Sequence, residues 1–246
     1  MKLLCTADLH YRLPQLDWLV EQADDVDVVV LPADLLQVVG AAALEVQIVV
    51  VSKYLQRLAD HTLVLASSGN HDLDGPGETG EQATTWLREL AADQLIVDGG
   101  SVDVDGVRFT VCPWWDGPLT RAQVDEQLSA AAVDRPARWV WVYHSPPADS
   151  PLCNAGERSF PDPDLAEWID RWKPDLVVCG HIHQAPWVSG GAWVDQRGST
   201  WLINAGHQAG PMPAHVVIDL DPRSGRATAE WVALPDRDQI EMPFAT

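Results

Sequence analysis

Apolar residues recur along this chain in short runs rich in Val, Ile, Leu and Trp, and many of these runs stop at Asp, Asn, Gly or His. The runs at 2–6, 26–31, 62–66, 107–111, 138–143, 176–179, 200–203, 214–220 and 227–233 predict β-strands. The intervening segments predict helices over 16–23, 42–60, 80–92, 121–132 and 164–172. In the second of these, Leu44, Ile48, Val51, Leu55 and Leu58 fall at helical spacing, and Pro163 suits the first turn of the last. Strands and helices alternate in the first half, and strands dominate the second. That order predicts an α/β fold in which two packed mixed sheets carry helices on their outer faces. Two stretches resist assignment, 113–119 (PWWDGPL) and 145–162 (SPPADSPLCNAGERSFPD). Long polar loops in a compact domain are more often functional than idle.

Composition narrows the class. A chain of 246 residues, 46% hydrophobic and 21% charged, suits one globular domain over 1–246, with the two unassigned stretches as loop insertions. The most apolar region, 26–51, is interrupted by Asp27, Asp34 and Glu45, so no membrane span is expected. The opening MKLLCTADLH is too short in apolar residues for a signal-peptide core, which points to the cytoplasm. Cys5, Cys112, Cys153 and Cys179 form no CxxC pair, and packed thiols in a reducing compartment are expected. With 16 basic against 36 acidic residues the net charge is −20, a field that repels polyanions and makes long nucleic acid a poor partner.

The strand ends carry the chemistry. The first delivers Asp8 and His10 (TADLH), two residues apart and so on one side of an extended chain. The second delivers Asp34 (LPADLLQ), the third Asn70, His71 and Asp72 (SSGNHD), a later one His144 (WVYHSPP), and the last His181 and His183 (CGHIHQ). A lone Asp after a strand is ordinarily a turn or cap, and a lone His is ordinarily a satisfied surface or core residue. Five strand ends each offering an oxygen or nitrogen donor are a different matter. Strand C-termini are where α/β sheets assemble sites, and such a donor set suits divalent transition metals. Gly180 is expected to let the chain turn sharply off its strand.

The order DxH … D … GNHD … H … GHxH resembles the calcineurin-like metallophosphoesterase superfamily, and the resemblance runs from Cys5 to about Asp219. It implies a four-layer α/β/β/α sandwich and a two-metal site in which Asp8, His10 and His183 hold one ion. Asn70, His144 and His181 hold the other, and Asp34 bridges both. It further implies attack by a metal-bridging hydroxide, with His71 protonating the leaving oxygen or stabilising phosphoryl charge. Asp72 either orients His71 or caps its own turn. Manganese, iron, nickel, cobalt or zinc would satisfy these ligands, with manganese expected to serve in vitro.

Two positions depart from the family pattern. Ala33 stands where the family has Gly before the bridging Asp, so a left-handed backbone there would be strained. Asn204-Ala205-Gly206 replaces the family's Asn-Pro-Gly and reads as a plain turn.

The stretch ADLLQVVG also lacks the arginine of the protein Ser/Thr phosphatases of this superfamily. The pattern is more similar to small bacterial phosphodiesterases, and also to the nuclease domain of double-strand-break-repair exonucleases. The expected function is therefore hydrolysis of small phosphodiesters. The alternatives are a DNA or RNA nuclease, or a non-catalytic metal-binding scaffold on the same fold. Trp114 and Trp115, among twelve tryptophans, either stack an aromatic part of a substrate or plug a homodimer interface. Arg158 is either a phosphate-binding arginine or a plain surface residue.

Overall fold

The computed structural model describes residues 1–40 and 42–244. In chain order the first half contains β1 (Lys2–Cys5), α1 (Leu13–Gln22), β2 (Val28–Pro32), α2 (Leu44–Ala59), β3 (Leu63–Ser67), the short hairpin β4 (Gly75–Pro76) and β5 (Gln82–Ala83), and α3 (Thr85–Arg88). There follow β6 (Leu95–Val97), β7 (Ser101–Val104), β8 (Val107–Val111), α4 (Pro118–Ala131), β9 (Arg138–Val142), α5 (Pro163–Trp172) and β10 (Leu176–Cys179). The chain ends with β11 (Val194–Arg197), β12 (Thr200–Asn204), β13 (His215–Asp221), β14 (Arg226–Ala233) and β15 (Asp236–Glu241).

Two mixed sheets result. One has the order β15-β14-β13-β1-β2-β3-β6 and the other β11-β12-β10-β9-β8-β7. The central strands β1, β2 and β3 run parallel, as do β8, β9, β10 and β12. Such strands are covered on both faces and so read as continuous apolar runs: all five residues of β2, β3 and β9 are buried. Leu3, Val30 and Leu65 from the first sheet meet Phe109, Val140 and Val178 from the second in a core between the sheets. The outer face of the first sheet packs on Leu16 and Leu19 of α1 and Val51 and Leu55 of α2. That of the second packs on Val124 and Leu128 of α4 and Leu165, Trp168 and Ile169 of α5. The four-layer expectation is therefore met.

The nine expected strands are all present, and β6, β7, β11 and β15 lie at positions the pattern did not mark. The helix expected over 80–92 is reduced to a short middle piece. Gln82 and Ala83 pair with Gly75 and Pro76, and the Asp74 carboxylate accepts from the Thr85 amide at 2.7 Å and the Trp86 amide at 3.2 Å, capping a helix that starts at Thr85 and runs to Arg88. A carboxylate there satisfies first-turn amides that no helical carbonyl can reach. α4 begins at Pro118, inside the stretch expected to be loop. The 145–162 segment holds a 3₁₀ turn at Pro151–Cys153 and isolated bridges Asn154–Ser159 and Pro147–Asp162.

Candidate metal centre

The carboxyl ends of β1, β2 and β3 meet those of β9 and β10 across the sandwich, and the loops leaving them fold onto one another. The Asp8 amide donates to the Ala33 carbonyl at 3.0 Å, and the His10 amide to the Asp34 carbonyl at 2.9 Å. Gly180 N–H donates to the His144 carbonyl at 2.9 Å. These rungs continue each sheet past its last strand residue and fix where the side chains start.

The backbone is strained where the candidate ligands sit. Asp8, His10, Ala33, Asp34 and His181 all have positive φ, at 57°, 44°, 76°, 51° and 69°. Each such residue costs about 1–2 kcal/mol without a glycine, and strain of this kind concentrates at functional sites. Ala33 thus does adopt the left-handed backbone its position demands. Gly180 does not turn through a positive φ; His181 does that. Gly180 is needed for space, because a Cβ there would lie 2.6 Å from Ala7 Cβ and 2.9 Å from the Pro32 carbonyl oxygen.

The donors converge in three overlapping groups: Asp8, His10 and His183; His10, Asp34 and His71; Asp34, His144 and His181. Within each group one ligand atom per residue lies within 4.8 Å of the others. His10 Nε2 and His183 Nε2 are 2.9 Å apart, and Asp8 Oδ1 is 3.4 Å from His183 Nε2. On the other side, His144 Nε2 is 3.3 Å from Asp34 Oδ2 and 3.2 Å from His181 Nδ1. Asp34 Oδ2 lies 4.0 Å from His10 Nε2 and 3.9 Å from His71 Nε2, so one carboxylate faces all three groups' territory. His144 Nδ1 donates to the Pro32 carbonyl at 2.9 Å, which aims Nε2 into the site.

Electrostatics and unsatisfied atoms suit cations. Burial holds the His10 and His181 imidazoles down to about 4, so both are neutral with lone pairs free to ligate. Burial alone would raise the Asp34 carboxyl, but the facing His144 and His71 hold it well below the usual carboxylate range. Against its own burial, His144 is pushed up to about 9, chiefly by Asp34. A field that holds a proton on a buried imidazole also attracts metal ions. Asp8 Oδ2, Asn70 Oδ1, His10 Nδ1 and His71 Nδ1 are buried with no hydrogen-bond partner among the described residues, an expensive arrangement unless an ion or ligand completes it. The O/N donor set and the orphaned Asp8 and Asn70 oxygens fit divalent metals.

Of its two expected roles Asp72 takes the cap: it spends its carboxylate on backbone amides, one of them in its own turn, not on the His71 ring. Its Oδ1 accepts from the Leu35 and Leu36 amides, both at 2.9 Å, and its Oδ2 from Gly69 N–H at 2.9 Å. It ties the loop after β3 to the loop after β2; burial and the charge of Asp34 push its carboxyl up to about 8. His71 is held through its amide, which donates to Asp34 Oδ1 at 2.9 Å, and its ring is left half-exposed. Arg158 is exposed at the tip of the Asn154–Ser159 bridge. Trp115 is fixed by its Nε1–H to Tyr143 Oη at 2.8 Å, while the Trp114 ring stands 5.6 Å from His144 and 5.7 Å from His181.

Two residues escaped the sequence reading. Asn204 is no plain turn residue: its Nδ2 donates to the Gly180 and Ile182 carbonyls, both at 3.1 Å, and braces the His181–His183 loop. His207 lies with its ring 4.9 Å from that of His183, the planes tilted by 34°, and donates from Nδ1 to the Asp8 carbonyl at 2.7 Å. The signal was present, since His207 follows the end of β12 as the other histidines follow theirs. By contrast His61 pairs with Asp24 at 2.9 Å, and His215 packs on Trp18, both away from the site.

The Trp114 amide donates to Ser68 Oγ at 3.0 Å, and Ser68 Oγ in turn donates to Asp98 Oδ2 at 2.6 Å. Burial pushes the Asp98 carboxyl up from 3.8 to about 6, against the hydrogen bonds from Ser68. A folded-state value above the unfolded one means extra protons bound when folded. Stability should therefore fall by about 3 kcal/mol as pH rises from about 4 to 6 on account of this group. Asp98→Asn should flatten that slope in urea titrations at either end of the window; an unaltered slope would show that Asp98 titrates normally.

The geometry defines an α/β/β/α sandwich with a cluster of Asp and His donors, able to hold a metal ion, at converging strand ends. The model of the calcineurin-like phosphoesterase family matches residues 1–185, and the chain belongs to that family. It is accordingly a metal-dependent phosphoesterase, a hydrolase of phosphoric ester bonds. The crystal structure of TT1561 of Thermus thermophilus is similar in fold, with a TM-score of 0.59, 14% identity and 98% of each chain covered. A 5'-nucleotidase precursor from Thermus thermophilus is also similar, with a TM-score of 0.54 and 13% identity over 99% of this chain and 54% of that one. No curated protein matches the sequence. Among the described residues no helix is long and apolar enough to cross a membrane.

Proposed function

We propose that the chain is a dinuclear metal-dependent phosphohydrolase that cleaves small phosphodiesters. The observation that carries this reading is the position of Asp34, whose carboxylate lies between the Asp8–His10–His183 side and the His144–His181 side. Asp8, His10 and His183 would hold one ion, Asn70, His144 and His181 the second, and Asp34 both. Bound divalent ions there, manganese in vitro, supply charge neutralisation of the phosphoryl oxygens and acidify water.

The chain's own residues do the rest. His71 reaches the site edge with a half-exposed ring, 4.7 Å from His10, where it can give a proton to a departing oxygen. Asp72 keeps the His71 loop docked, and Asn204 keeps the His181–His183 loop docked. Residues 1–246 form one such domain in this reading. It is supported by β11–β12 and β13–β15, which complete the two sheets beyond residue 185. Four buried, unpaired cysteines suit a reducing, cytoplasmic setting.

The net charge of −20 favours a small ester over a long nucleic acid as substrate. Purified without chelator and assayed with manganese, the protein should carry about two metals per chain and cleave bis(p-nitrophenyl) phosphate faster than the monoester. Chelation should remove both metal and turnover. A preference for the monoester would overturn the diester assignment, retention on heparin at low salt would favour a nuclease, and metal without turnover on either ester would favour a scaffold.

A further inference from the structure

Beside the metal centre lies a cleft of about 540 Å³ that none of the metal-site roles uses, and His181 belongs to both. Trp114 forms one wall, its ring 5.6 Å from His144 and 5.7 Å from His181. Phe160 stands opposite the same imidazole, 6.3 Å from His181, and is 45% exposed, an unusual amount for a phenylalanine. Trp115 closes the cleft with its indole pinned to Tyr143. Both aromatic walls come from the two stretches that fitted no regular element.

The Trp114 wall is held before any ligand arrives, because the Trp114 amide is tied through Ser68 to Asp98. Preorganised apolar walls lower the cost of binding. The charges are equally selective. Among the described residues no Lys or Arg lines the cleft, while Asp116 and Asp162 do. Asp162 is already committed to the Tyr143 hydroxyl at 2.7 Å and to the Leu165 amide at 2.9 Å. A second phosphate or carboxylate would meet carboxylates and no cation. A flat, uncharged ring would meet aromatic faces.

We propose that this cleft binds an uncharged planar aromatic substituent of the phosphate ester, an aryl group or a nucleobase, held between Trp114 and Phe160 while the phosphoryl group sits at the metal centre. The assignment rests on the phosphohydrolase reading above and adds a substrate class to it.

Calorimetric titration of the manganese-loaded protein with phosphonates, whose P–C bond is not hydrolysed, tests it without turnover. Phenylphosphonate should bind about tenfold more tightly than methylphosphonate, the gain expected of one stacked ring. The ratio should fall towards unity in Trp114→Ala and in Phe160→Ala, and Trp114→Phe should keep most of it. Phe160 is exposed enough that its truncation leaves the core intact, which guards against a Trp114 variant that misfolds.

The non-hydrolysable phosphonate analogue of adenosine 5'-phosphate against that of ribose 5-phosphate separates the two sources. A tenfold gap there assigns a nucleobase, and no gap alongside a phenyl preference assigns a simple aryl group. A phenyl-to-methyl ratio within twofold of unity in the wild type, or one that survives both alanine variants, would overturn the cleft assignment while leaving the phosphohydrolase intact. Failure of inorganic phosphate to bind the metal-loaded protein would sink the phosphohydrolase reading, and the cleft assignment with it.

Discussion

Asp34→Asn should lower kcat/KM on bis(p-nitrophenyl) phosphate by on the order of 10³-fold or more, about 4 kcal/mol of transition-state stabilisation, and should leave the protein with fewer metals per chain. The change is isosteric, so packing is kept: Asn retains an oxygen to accept from the His71 amide, now at 2.9 Å from Asp34 Oδ1. What is lost is the negative charge. Asp34 is the residue whose field raises His144 to about 9 and which faces His10, His71 and His144 at once. Without it, two cations at close range would have no shared anion to offset their repulsion. Metal content by atomic emission and melting temperature, read beside turnover, separate a lost bridge from a lost fold. Wild-type metal content together with wild-type turnover in this variant would contradict a bridging role.

How much of this was legible in the sequence follows from which interactions are local. The buried parallel strands announce themselves because both faces are covered and every position is apolar, as in Val28–Pro32. The candidate ligands stand out because they follow the ends of such runs. Edge strands do not: β15 (Asp236–Glu241) is exposed at nearly every position and pairs only with β14, so its sequence carries no apolar signature. The cross-loop part of the role of Asp72 was equally hidden. Its three amide partners come from two different loops, and nothing within GNHD says that Leu35 and Leu36 will be there to receive it. Asn204 braces carbonyls more than twenty residues away, which only the pairing of β10 with β12 brings within reach. Long-range loop-to-loop contacts of this kind are where a single sequence is least informative.

Gly69→Ala should be nearly as damaging as the loss of Asp34, through geometry alone. Gly69 needs no unusual φ, so alanine brings no backbone strain there; what it lacks is room. A Cβ at this position would lie 2.2 Å from Asp34 Oδ1 and 2.8 Å from His144 Nε2. Neither neighbour can yield cheaply. Asp34 Oδ1 is bound to the His71 amide, and the His144 ring is anchored by its Nδ1–H to the Pro32 carbonyl. Gly69 itself cannot retreat, since its amide donates to Asp72 Oδ2. The loop or the ligands must therefore shift, at a cost of about 1–3 kcal/mol in stability, and a displacement of about 1 Å at a positioned group reduces rate by roughly 10². Manganese affinity should weaken in step, because the atoms displaced belong to the donors proposed to hold the ions. The diagnostic comparison is with Asp72→Asn, which loosens the same loop but adds no bulk at the ligands and so should cost stability more than metal affinity. A Gly69→Ala protein with wild-type manganese affinity and turnover would show that Asp34 and His144 do not face the same ion-binding space, and the two-sided site would have to be redrawn.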